Sequence, residues 1–236
     1  MRRARALAAA LWLTPAAALA NGGVVGQVKL AGKPPALAAR PVTKDASVCG
    51  SQKPNEAVVA GAKGFLRNVV VSLRGLKPAV DTAPTTGAVV DQVGCRYEPH
   101  VQAVTVGTQL TLVNSDGVLH NVHGSIGPTQ AFNLAMPIKG QHVPARLTRP
   151  GLVRLQCDAG HTWMSAYVYV FDHPYFAVTG ADGRFEIKDV PPGHYTVEYW
   201  HESVDGTGPG VTSTAEVTIK DGAPTQADAV INLREP

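Results

Sequence analysis

The stretch Cys157-Asp158-Ala159-Gly160-His161-Thr162-Trp163-Met164 runs directly into Ser165-Ala166-Tyr167-Val168-Tyr169-Val170-Phe171. The second segment, alternating β-branched and aromatic residues, reads as a strand. The first places a thiol, an imidazole and a thioether within eight residues, three soft or borderline metal ligands on one loop. Each residue alone has a plain structural explanation, since an isolated Cys in a β-core is usually a small hydrophobe and a lone His or Met is usually packing. A loop of this kind cannot close a metal site unaided, so the rest of the chain has to supply what is missing.

Outside that loop the sequence is β throughout. Short runs rich in Val, Thr and aromatics (VVGQVKL, RNVVVSL, QAVTV, TQLTLVN, GLVRLQC, GRFEIK, HYTVEYW, TAEVTI and DAVINL) are separated by Gly, Pro, Asn and Asp, the spacing of sandwiches and barrels. No amphipathic helix of useful length is evident, and KPPALAARP is bounded by prolines that limit it to a turn or short helix. The expected fold is all-β.

The later part, Ala177 to Ile187 continuing into DVPPGHYTVEYWHE, resembles the carboxypeptidase regulatory-like (transthyretin-like) β-sandwich. In that resemblance Asp182-Gly183 forms a tight hairpin, and Pro191-Pro192-Gly193 a rigid turn with Gly at positive φ. The early stretches GGVVGQVKLAGKPP and RNVVVSLRGL look like the opening strands of the same module. The resulting division is a leader over 1–20, the two halves of one sandwich at 21–84 and 173–236, and an inserted middle domain at 85–172. Two domains in tandem, with the early strands joining the middle one, is the alternative.

Between the halves, Thr105-Val106-Gly107 introduces a strand ending Val113-Asn114-Ser115-Asp116, and Leu119-His120-Asn121-Val122 follows a short loop. This N-x-D…H-N-V context, with three further ligand types on a late loop after a Pro-Gly turn, resembles the cupredoxins, small Greek-key blue-copper sandwiches. The resemblance implies one copper ion with His120, Cys157 and His161 as strong ligands and Met164 as the weak axial one, and Asn121 tying the two ligand loops together. The C-x₃-H-x₂-M spacing also resembles the dinuclear copper-A loop of cytochrome oxidase, but Val153 stands where that site needs a second Cys. His123 should lie on the opposite strand face from His120. His100 is a possible additional site residue. His142, His173, His194 and His201 read as structural, Met136 as loop packing, and Trp163 as core filling or a shield over the site.

The first twenty residues have a basic n-region at Arg2, Arg3 and Arg5, a short apolar segment and Ala18-Leu19-Ala20, the features of a secretory signal cleaved near Ala20/Asn21. The apolar run falls short of the roughly 20 residues of a membrane span. The formal charge of +3 equals the three arginines of that leader, leaving the remainder neutral. Nothing points to nucleic acid or an anionic membrane. Three cysteines in an oxidising compartment leave one over: a bridge between Cys49 and Cys95 would free Cys157 as a metal thiolate.

The expected function is a periplasmic or secreted electron carrier cycling Cu(I)/Cu(II), with His161 near the surface and a periplasmic redox protein or copper acceptor as partner. Copper storage, delivery or resistance is the second reading, and a copper-free binding module the third. No Ser-His-Asp or paired-carboxylate arrangement suggests an enzyme.

Overall fold

In the computed structural model, which describes residues 21–76, 82–206 and 208–233, nearly everything regular is strand. The leader assigned to residues 1–20 lies outside the described residues. The strands are β1 (Gly22–Leu30), β2 (Arg40–Pro41), β3 (Gln52–Lys53), β4 (Val70–Arg74), β5 (Val89–Gln92), β6 (Tyr97–Glu98), β7 (Val101–Thr105), β8 (Gln109–Asn114), β9 (His120–Ile126) and β10 (Thr129–Met136). They continue with β11 (Gln141–Arg146), β12 (Gly151–Gln156), β13 (Ser165–Phe171), β14 (Phe176–Val178), β15 (Arg184–Val190), β16 (Gly193–His201), β17 (Val211–Ile219), β18 (Pro224–Gln226) and β19 (Ala229–Ile231). A four-residue helix, α1 (Ala46–Cys49), lies between β2 and β3. No helix among the described residues is long and apolar enough to cross a membrane.

Four sheets stack as two sandwiches. β1 pairs with β15, β18 and β19, and this sheet faces the sheet β14-β4-β16-β17. The early strands β1 and β4 thus share sheets with strands from the far end of the chain. Residues between them form the second sandwich, β10-β9-β12-β13-β7 against β11-β8-β5-β6.

Strand periodicity explains the stacking. On β13, Ala166, Val168 and Val170 point into the inner core with Leu110, Leu112 and Val153, while Tyr167 and Phe171 face the other way. On β4, Val71 and Leu73 enter the flanking core with Val24, Ile187 and Tyr199, and Val70 faces out. Those outward faces meet, so Tyr167, Phe171, Val70, Val101 and Trp200 form a third buried cluster joining the sandwiches. Strands with two apolar faces are the sequence consequence of sitting in an interior layer.

Two turn expectations are corrected. Asp182-Gly183 does not close a hairpin: β14 pairs with β4 and β15 with β1, so this tight turn carries the chain from one sheet to the other. Gly183 is nonetheless required there, with φ 71° and a Cβ that would sit 2.4 Å from the Val28 carbonyl oxygen. Gly193 is not in the left-handed region; it begins β16 opposite Ile219, and Asp189 takes the positive φ of 57°. Met136 is not a loop residue either. It ends β10, fully buried opposite His120, with the Gln92 amide 3.0 Å from its sulfur.

Candidate metal centre

β12 and β13 are adjacent antiparallel strands, paired up to Gln156 and Ser165, so residues 157–164 form the loop joining them. β9 lies on the other side of β12, its ladder ending at Gln156 opposite His123. Beyond that pair both chains run on toward the same end of the sandwich, which brings His120 to the loop. His123 falls outside the cluster, partly exposed, with Nδ1 2.8 Å from Asp158 Oδ2.

The Nδ1 atoms of His120 and His161 are 3.0 Å apart, and Cys157 Sγ lies 3.6 Å from His161 Nδ1. One ligand atom from each of these three residues falls within 4.8 Å of the others. Nitrogen and sulfur ligands about 2.0–2.3 Å from a shared metal stand about 3–4 Å from one another, so the spacing fits a common ion. His120 and His161 are fully buried, and Met164, Cys157 and Trp163 nearly so. The Met164 amide donates to the His161 carbonyl at 2.9 Å, tightening the loop that carries both. The Trp163 ring centroid is 5.1 Å from that of His161, and its indole N–H donates to the Cys95 carbonyl at 3.0 Å, making it a wall over the cluster.

Each imidazole turns its Nε2 to a carboxylate: His120 to Asp116 at 2.9 Å and His161 to Asp45 at 2.8 Å. An ionised carboxylate only accepts, so each Nε2 carries the proton and each Nδ1 presents a lone pair. Two lone pairs then face each other across 3.0 Å in a buried space. Such an arrangement needs a proton or a cation between them. Burial pulls the His120 pKa down, with the neighbouring His161 adding to it against the pull of Asp116, which favours the neutral, metal-ready ring. Burial raises the Cys157 thiol pKa, opposed by the backbone amides of Ala159, Asn121 and His161 directed at the sulfur.

Asn114 and Asp116 hold the turn between β8 and β9. The buried Asn114 amide donates to the carbonyls of Val118 and Met136 at 3.0 and 2.7 Å, and its oxygen accepts the Asp116 N–H. The Asp116 carboxylate also accepts the amides of Gly94 and Cys95 at 2.8 and 2.7 Å. Asn121 bridges the two ligand segments, its side-chain oxygen accepting the Asp158 N–H at 3.1 Å and its amide donating to Asn133 at 2.6 Å. Cys49 and Cys95 are disulfide-bonded and Cys157 is free.

His161 does not lie near the surface as expected. The segment preceding α1 covers its outer edge with Asp45. His100 is not part of the cluster; it is buried at the junction of the sandwiches, its Nδ1 3.0 Å from the Ser165 carbonyl and its Nε2 on Glu202. Asp45 was not legible as a site residue, being more than a hundred positions from His161 with no spacing to connect them. Asp116 could have been found from the N-x-D turn that precedes His120.

No family model and no curated protein matches the chain. Similar solved structures include a purple cupredoxin from Nitrosopumilus maritimus, 22% identical over 36% of this chain and 99% of that one, with a TM-score of 0.31. A reduced amicyanin mutant is 26% identical over 43% of this chain and 98% of that one, with a TM-score of 0.32. A Cu-containing nitrite reductase from Thermus scotoductus SA-01 is 22% identical over 40% and 25% of the two chains, at 0.31.

Proposed function

We propose that His120, Cys157, His161 and Met164 hold a single copper ion and that the protein is an exported electron carrier rather than an enzyme. The observation that carries this reading is the buried pair of Nδ1 atoms 3.0 Å apart beside a thiol that forms no disulfide. Copper, when bound, supplies a one-electron Cu(I)/Cu(II) couple compatible with thiolate, imidazole and thioether donors together. The chain does the rest. Asp116 and Asp45 fix both rings with Nδ1 inward, Trp163 excludes water, and Asn121 keeps β9 and the loop at constant separation. Ligands held this firmly move little on a change of charge. Val153, packed fully buried in the inner core, leaves no second thiolate for a two-metal centre.

The flanking sandwich, read as a regulatory-like module, stabilises the inner one through the aromatic cluster between them. The partner class is a periplasmic redox protein or a copper acceptor. The test is the visible spectrum of the oxidised, copper-loaded protein. An intense thiolate-to-copper band is expected, shifted by Met164→Ala and abolished by His120→Ala. Absence of the band in the unaltered protein would sink the carrier reading.

The covered edge of His161 favours a second reading, copper storage or delivery, because neither imidazole reaches the surface. Under that reading the protein prefers Cu(I), passes it readily to a competing chelator, and lacks the charge-transfer band.

A further inference from the structure

We infer that Asp45 is a positioning residue for His161, held over it by a strap of residues 40–53 so that the imidazole stays turned inward and a bound metal leaves slowly. The inference rests on the metal reading above. Asp45 precedes α1 at its N-cap with φ 53° and ψ 36°, the left-handed region, which is costly for a residue bearing a Cβ. Asp at this position normally caps its own helix by accepting from the first-turn amides. Here it makes no side-chain cap, and its carboxylate reaches across to His161 Nε2 at 2.8 Å. A strained backbone and a forgone cap are both explained by the position of the carboxylate.

The strap is anchored at several points. The Val42 amide donates to the Ser51 carbonyl at 3.0 Å, closing its two arms, and Val42 packs on the inner core. Lys44 Nζ donates to the Ala159 carbonyl at 2.7 Å, gripping the ligand loop one residue from Asp45. Cys49, buried, is bonded to Cys95, whose amide donates to Asp116, the carboxylate on His120. One covalent link therefore joins the segments that orient the two histidines. A carboxylate on the distal nitrogen of a ligating histidine fixes its tautomer and ring orientation, and removing such a partner usually lowers metal affinity about 10–100-fold.

The experiment compares the mature chain with Asp45→Gly, Asp45→Asn and the Cys49→Ala/Cys95→Ala pair, at one fixed pH. Copper(II) and zinc(II) are the probes, with affinity and release to excess chelator as readouts. Nitrogen-15 NMR of the metal-free protein reads the His161 ring. Asp45→Gly should lower affinity about 10–100-fold and speed release, while metal-free stability holds or rises because glycine relieves the positive φ. Asp45→Asn, which keeps an acceptor and loses the charge, should fall between, and the double Ala variant should release metal faster than the unaltered chain. The unaltered metal-free protein should show a slowly exchanging His161 Nε2–H that vanishes in Asp45→Gly.

If Asp45→Gly changes affinity and release by less than about threefold, Asp45 is structural and the inference falls while the metal reading stands. If the unaltered chain binds neither metal, the metal reading falls. The Nε2–H signal then still decides whether Asp45 holds the ring, and its absence overturns the inference.

Discussion

In the flanking sandwich the core runs apolar from Val24 and Val71 through Tyr199 to Leu233, whereas the inner core that begins at Leu110 and Val168 ends in Asn114, Asp116, His120 and His161. Both cores follow the same alternation of inward and outward residues along their strands. The inner one gathers buried polar groups of ligand type at its end, and each must find a partner. Most of them do: Asp116 takes three donors and Asn114 three contacts. The two Nδ1 atoms and the thiol are set apart because they are turned toward one another. Stability ends and a site begins where the groups turned toward one another are the ones with ligand chemistry.

The largest expected effect separates the two regions. Leu73→Ala empties a buried position in the flanking core and should lower unfolding free energy by about 2–5 kcal/mol in a denaturant titration. It should leave copper stoichiometry and spectrum unchanged. Cys157→Ser should do the reverse, abolishing the charge-transfer band while shifting metal-free stability by no more than about 1 kcal/mol. A Leu73→Ala protein that folds but no longer takes up copper would break the comparison, since the sandwiches would then be one cooperative unit around the site.

Asp116→Ala comes next and probes the polar end itself. It removes the acceptor of the buried Cys95 amide, which should cost about 1–3 kcal/mol even without metal, and it frees His120 to rotate. Paired measurements of unfolding and copper affinity should both fall. A loss of affinity alone would mean that water replaces the carboxylate and that the polar end is less tightly matched than its hydrogen bonds imply.

How much of this could be read from residues alone differs between the two regions. The alternating runs of β1, β8, β12, β13 and β16 announce themselves, and the loop 157–164 with His120-Asn121 carries its ligand types in order. The strands β10 and β11 do not stand out. They are edge strands with much of their surface exposed, and β11 contains Pro144, tolerated only because an edge leaves one side of the ladder unpaired. The turn at Asp182-Gly183 has hairpin chemistry but joins two sheets, a choice made by tertiary pairing rather than by the dipeptide. Asp45 is invisible for a similar reason: its role comes from where a disulfide-anchored segment lands, and local sequence carries no trace of that.

The smallest effect is a pH dependence at the junction where the two regions meet. Burial alone would lower the His100 pKa, but the hydrogen bond and charge of Glu202 outweigh it, with Glu56 and the Ser165 carbonyl adding to the upward shift. Its folded pKa therefore lies above the unfolded value of about 6.5. The resulting stabilisation is fully present below that value and is lost as pH rises through the folded pKa. His201, lowered chiefly by burial, works in the opposite sense, so the whole protein's pH profile would blur the two. His100→Gln isolates one of them. The stability difference between the unaltered chain and His100→Gln, from urea unfolding of the metal-free protein, should be larger at about pH 5.5 than at about pH 8.5. A difference that stays flat or grows with pH would mean that His100 is held neutral. The sandwiches would then be joined by the apolar cluster of Tyr167, Phe171, Val70 and Trp200 without help from a buried ion pair.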